Sequence, residues 1–195
     1  MSTWENVWVI VRFLNMYKFL FSILLMFQSL AVFADELYPL KVGNYWKYEV
    51  KGKSTYFVTN KVVDKKVIGH KTWYKYIEYG EIYWIRNGKG GQYEAMDWLD
   101  NANPKTKPKH EVLFFKYPLK STIQYKVPSN TIQALLPLKS IKTPAGEYRC
   151  ILYKMITKGK VLAENCIAPG VGVVWSKAIF DGEVEVSRLV EYGVK

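Results

Sequence analysis

Between Asn44 and Tyr192 the chain is cut at short, regular intervals by residues that accept a left-handed backbone, and the runs between the cuts alternate with a period of two. That pattern restricts the fold more than any other feature. Trp46, Tyr48 and Val50 fall on one face of the first run, with Tyr45, Lys47 and Glu49 on the other. Period two is the signature of a strand. Gly52-Lys53-Ser54 turns the chain into Thr55–Asp64, and Val67–Tyr79 reads as the next long run. Gly80 breaks that run before Glu81–Arg86. Asn87-Gly88-Lys89-Gly90-Gly91 reads as a hairpin turn, followed by a strand over Gln92–Leu99. Asp100–His110 is a loop rich in lysine and proline. Glu111–Tyr117 and Ser121–Val127 read as a strand pair around Pro118. Thr131–Leu136 fits a short helical turn, and its period decides nothing. The closing strands are Glu147–Ile156, Lys160–Ile167, Val171–Phe180 and Glu183–Tyr192, the last two joined by Asp181-Gly182.

Helical periodicity is nearly absent, so the expected class is mainly β. The expected form is a curved antiparallel sheet, a half-barrel or open barrel of about ten to twelve strands. Trp73-Tyr74 and Tyr83-Trp84 place large rings on both faces of their strands. A flat sheet with one wet face has no need of that, whereas a sheet wrapped around an interior has.

Residues 1–34 stand apart from this pattern. Arg12 and Lys18 precede the apolar run Phe19–Phe33, and Val32-Phe33-Ala34 supplies a small-residue cleavage site before Asp35-Glu36. These are the marks of a secretory signal peptide, and Met16 is a suitable start for it. The competing reading is a membrane anchor, for which the run is short. No cysteine follows the site, so no lipid anchor of the bacterial lipoprotein kind is expected. The expected location is periplasmic or secreted, with a single β domain over 35–195.

The chain holds 28 lysines and arginines against 17 acidic residues, a net charge of +11. After residue 34 the only arginines are Arg86, Arg149 and Arg188. Nucleic-acid sites favour the forked guanidinium, so a diffuse lysine excess points away from nucleic acid. It fits a solvated surface or attraction to an anionic envelope component.

Few residues suggest chemistry. His70 and His110 are the only histidines and do not form a metal-binding pair, so zinc is not expected. Gly88-Lys89-Gly90-Gly91 lacks the Ser/Thr and helix of a phosphate-cradling loop. Asp97 and Asp100 read as a solvated strand end rather than an acid–base pair. No catalytic residue, cofactor or metal is assigned. The aromatic residues Trp46, Tyr48, Trp73, Trp84 and Trp98 are either core packing, which strands favour, or the wall of a ligand cleft. Lys105, Lys107 and Lys109 form a candidate loop for an anionic partner.

Cys150 and Cys166 are the only cysteines. Export would place them in an oxidising compartment, where such a pair bridges. The turn at Thr157-Lys158-Gly159 decides the geometry. A two-residue turn sends the cysteines to opposite faces of the sheet. A three-residue turn, with Gly159 in the left-handed position, sets Cys150 directly opposite Cys166. The latter predicts a cross-strand disulfide.

Three stretches, Tyr38-Pro39-Leu40-x-x-Gly43-x-x-Trp46-x-Tyr48, Thr143-Pro144-Ala145-Gly146-x-Tyr148 and Ala168-Pro169-Gly170-Val171-Gly172-x-Val174, occur in an order that resembles uncharacterised bacterial exported β-rich proteins. That group is similar to the lipoprotein-localisation-factor (LolA/LolB-like) half-barrel. The resemblance implies an apolar concave face and a lipid or other amphiphile as ligand. Two functional readings follow. One is an exported binding module that holds an apolar or amphiphilic ligand. The other is an envelope interaction protein that docks through the lysine loop without a small ligand. An enzyme ranks behind both, for want of a nucleophile–base set.

Overall fold

The structure, a computed structural model, describes residues 36–95, 108, 110–180 and 182–195. The expectations for residues 1–34, Asp97, Trp98, Asp100, Lys105, Lys107 and Lys109 lie outside the described residues.

The described residues form twelve strands and no helix. They are β1 Tyr45–Lys51, β2 Thr55–Ile68, β3 Lys71–Glu78, β4 Glu81–Gly88, β5 Gly91–Ala95 and β6 Glu111–Lys116. The second half comprises β7 Ile123–Val127, β8 Asn130–Thr143, β9 Gly146–Thr157, β10 Lys160–Ala168, β11 Gly172–Phe180 and β12 Glu183–Gly193. All lie in one antiparallel sheet ordered β6-β5-β4-β3-β2-β1-β12-β11-β10-β9-β8-β7. The first and last strands therefore pair in mid-sheet. The two edges are β6 and β7, which are consecutive in the chain.

That order corrects one expectation. The strands on either side of Pro118 form no ladder with each other; they are the edges of a sheet that has curled until they meet. Tyr125 of β7 spans the seam. Its hydroxyl donates to the Phe114 carbonyl at 2.8 Å and accepts from the Lys116 N–H at 3.1 Å. Tyr153 of β9 donates to the Lys116 carbonyl at 2.8 Å. The result is a nearly closed barrel.

Two-residue turns set the registers. Gly69-His70, Tyr79-Gly80 and Lys158-Gly159 each place both residues at positive φ, the geometry that matches strand twist. The first of these cuts the expected Val67–Tyr79 run, giving its first two residues to β2. Thr131–Leu136 is strand, within β8.

Alternation in β1 buries Trp46, Tyr48 and Val50 as the pattern requires. They join a core that also holds Tyr76, Ile132, Tyr153, Ile167 and Leu189. The segment before β1 packs into the same core through Leu37, Tyr38 and Leu40. It is held by Asn87 Nδ2 donating to the Tyr38 carbonyl at 2.6 Å and by the Gly170 N–H donating to the Glu36 carbonyl at 2.9 Å. A second, smaller cluster comprises Ile68, Trp73, Trp84 and Ala95.

The structure contains the Cys150–Cys166 disulfide, with Cα atoms 5.3 Å apart and both residues buried. The expected register is wrong. Lys160 pairs with Thr157, so the turn has two residues, Lys158-Gly159. By itself that would separate the cysteines onto opposite faces. A bulge between Val161 and Ala163 then adds one residue to β10 and restores the parity. Cys166 faces Leu152, and Cys150 is its diagonal neighbour on the same face. Further irregularities flank the pair, between Leu135 and Lys139 and between Cys166 and Ile167. Such bulges increase local twist, and the diagonal is correspondingly shorter than the usual figure of about 7–8 Å.

Candidate binding cavity

Inside the barrel, alternation aims a mixed set of side chains at a common space. From β3 come Tyr76 and Glu78, from β4 Tyr83 and Ile85, and from β5 Gln92 and Glu94. Tyr76 pairs with Tyr83 and Ile85 with Glu94, so these residues form a contiguous patch across three strands. The cavity they line measures about 290 Å³, and Phe114, Phe115 and Tyr38 also stand in its wall. A second cavity of about 330 Å³ continues toward Tyr79, Ala178, Glu185 and Ser187. Glu78, Tyr83, Met155, Asn165 and Val173 line both cavities, so the two adjoin.

The polar groups of this interior are held to different degrees. Tyr48 donates to the Val173 carbonyl at 2.9 Å. Tyr79 and Ser187 share a hydrogen bond. Asn60 accepts from the Tyr79 N–H at 3.1 Å and donates from Nδ2 to Glu78 Oε1 at 3.4 Å. Burial holds the phenols of Tyr38, Tyr48 and Tyr76 well above their ordinary pKa. Burial also lifts Glu78 to about 7, and the nearby Glu94 charge adds to the rise. Glu94 is itself raised by burial.

The sign of the Glu78 shift gives an expected result. With its folded pKa above the unfolded value of about 4.5, the folded state keeps a proton that the unfolded state has lost. The stability that Glu78 contributes is therefore fully present below about pH 4.5 and is lost as the pH rises toward 7. The contribution is of order 2 kcal/mol, since Glu78 is only partly buried and solvent screens part of the full shift. Urea titrations between pH 4.5 and 7 should show this decline, and Glu78→Gln should flatten it. An unchanged slope in the variant would refute the assignment to Glu78.

The sequence-predicted aromatic residues divide between two places. Trp46 and Tyr48 lie in the main core, and Tyr48 lines the second cavity. Trp73 and Trp84 lie in the smaller cluster, and neither lines the cavities. The Arg86 guanidinium stacks there, 5.3 Å from the Trp73 ring and 3.9 Å from the Tyr93 ring, and pairs with Glu111. Sequence reasoning missed Glu78, Glu94, Asn60 and Tyr76. The only available signal was that Tyr76 and Glu78 share a face in the alternation of β3, which says nothing of which face turns inward.

Among the described residues no group of three or more His, Cys, Asp or Glu is arranged to hold a metal ion. Also among them, no helix is long and apolar enough to cross a membrane.

No protein-family profile matches the chain, and no curated protein matches it. Two solved structures do. One, from Parabacteroides distasonis, is described as "a putative lipoprotein"; it is 12% identical, with 82% of this chain and 99% of that chain covered and a TM-score of 0.38. The other, from Bacteroides fragilis, is described as "a putative exported protein with YmcC-like fold"; it is 12% identical, with 80% and 98% covered and a TM-score of 0.37.

Proposed function

We propose that this chain is an exported binding module that holds a small apolar or amphiphilic ligand inside its barrel. The observation that carries this reading is the pair of adjoining cavities of about 290 and 330 Å³. Cavities of that size are in the range that takes small organic ligands, and a few polar groups among apolar walls give such sites their orientation. The resemblance to the localisation-factor half-barrel points the same way. The disulfide and the leader-like segment accord with a chain that folds outside the cytoplasm.

A neutral dye such as Nile red tests the reading, because the net charge of +11 does not attract it. Saturable binding at one site per chain is the expected result, with decanol competing. Met155 lines both cavities. Met155→Trp should therefore fill the shared wall and weaken binding by about tenfold or more. Absence of saturable uptake, or uptake indifferent to Met155→Trp, contradicts the proposal.

A further inference from the structure

Charge is inverted between this protein and its interior. The chain carries 28 lysines and arginines against 17 acidic residues. Yet no lysine, arginine or histidine stands among the described residues that line the two cavities, while Glu78, Glu81, Glu94 and Glu185 do. The ion pairs among the described residues engage Glu49, Glu111, Glu164 and Glu183, and neither Glu78 nor Glu94. A carboxylate in a confined wall loses hydration and gains stability from a cation beside it. Two of them facing one space resist ionising together, and a cation beside them favours the charged form of both.

A second observation is independent of the carboxylates. Tyr76 is only 3% exposed, lines the same cavity as Glu78 and Glu94, and its hydroxyl makes no hydrogen bond of ordinary geometry. The Asn60 amide donates to Glu78 at 3.4 Å and also favours the charged form of this phenol. Buried hydroxyls are seldom left unpaired, and an exception calls for an explanation. The Tyr76 side chain lines the cavity, and its oxygen lacks a donor in ordinary hydrogen-bond geometry. Around it stand the rings of Tyr38, Tyr83, Phe114 and Phe115, whose faces attract a cation and whose bodies accommodate an alkyl chain.

We infer that the barrel interior recognises the primary ammonium group of an amphiphilic amine, with Glu78 and Glu94 as counter-charges, the Tyr76 oxygen as third acceptor and the aromatic wall around its tail. An ammonium has three N–H donors, one for each of these acceptors. This inference rests on the binding-module reading and adds to it the charge and class of the ligand.

Calorimetric titration with decylammonium, decanol and decanoate, each below its micelle concentration, separates the two. The expected order is decylammonium over decanol over decanoate, with decylammonium tighter than decanol by about tenfold or more. The net positive charge of the chain opposes this order, so surface attraction cannot produce it. Glu78→Gln and Glu94→Gln together should bring the ratio of decylammonium to decanol affinity close to one. Glu78→Asp should keep part of the preference. Binding of all three ligands without preference for the ammonium overturns this inference and leaves the module reading intact. Binding of none overturns both. Dihexanoyl phosphatidylethanolamine against dihexanoyl phosphatidylglycerol then distinguishes a lipid headgroup from a free amine. A preference for the former supports a lipid source, and decylammonium binding without that preference supports a free one.

Discussion

Replacing Trp46 with alanine is expected to cost about 3–5 kcal/mol of stability, lowering the melting temperature by about 8–15 °C for a domain of this size. Trp46 is fully buried in the main core. Its indole N–H donates to the Val171 carbonyl at 2.5 Å. Its ring meets Tyr38 and Tyr76 edge-on, with centroids 6.1 and 5.9 Å apart. Alanine removes the ring, leaves a partly buried carbonyl without its donor and strips support from two tyrosines that line the cavity. The site has little freedom to collapse. Gly172 sits beside it at φ +101°, where an added Cβ would lie 3.1 Å from the Tyr38 ring and 3.4 Å from Trp46 Nε1. The neighbouring wall is thus backbone fixed by a turn rather than a side chain able to swing inward. Trp46→Phe keeps most of the packing and loses only the hydrogen bond, so its cost should be roughly half. Urea denaturation of the two variants measures both values. A loss below about 1 kcal/mol for alanine would show that Trp46 is peripheral to the core.

The fold was largely legible because its rules are local. Alternation in Trp46–Val50 and the glycine-bearing turns at Gly80, Gly90 and Gly159 mark strands whatever lies beside them. The Gly69-His70 turn was illegible because Gly-His is not one of the Asn-Gly, Asp-Gly or Gly-Gly pairs that mark a two-residue hairpin, although histidine tolerates the positive φ of 63° found here. The seam was illegible for a different reason. Whether the strands around Pro118 pair with each other or close a barrel depends on the accumulated twist of ten other strands. The same holds for the cavity. Glu78 and Glu94 are ordinary strand carboxylates in sequence, and they become an interior pair only because the sheet curls toward their face. Trp73 and Trp84 looked equivalent to Trp46 on composition, but odd and even positions of β3 and β4 send them away from the cavity residues Tyr76 and Tyr83.

Removing the disulfide by Cys150→Ala with Cys166→Ala is expected to cost about 3 kcal/mol. The two cysteines are 16 residues apart in sequence, and closing a loop of that length restricts the unfolded chain by about that amount. The native state adds to the requirement for this pair. Register in β9–β10 comes from a two-residue turn followed by a bulge, so one residue of slip separates the native face assignment from its inverse. The native choice directs Tyr153 and Met155 inward and leaves Lys154 to pair with Glu164 at 2.9 Å. The bond links the strands only where that parity holds, because slip by one residue sends the two sulfurs to opposite faces. The double variant should therefore lose more than stability: amide exchange in β9 and β10 should accelerate more than in β1 and β2. A uniform acceleration across all strands would show that the bond acts on the unfolded chain alone. Moving Cys166 to position 168 in a Cys166→Ala, Ala168→Cys variant tests the geometry directly. Ile167 pairs with Ile151, so one further step of the same register brings Ala168 opposite Cys150, and the relocated pair should still oxidise and recover part of the stability. In the directly opposed register expected from a three-residue turn, residue 168 would stand two positions beyond its partner. Failure of the relocated pair to form, under conditions where the native pair does, would overturn the register described here.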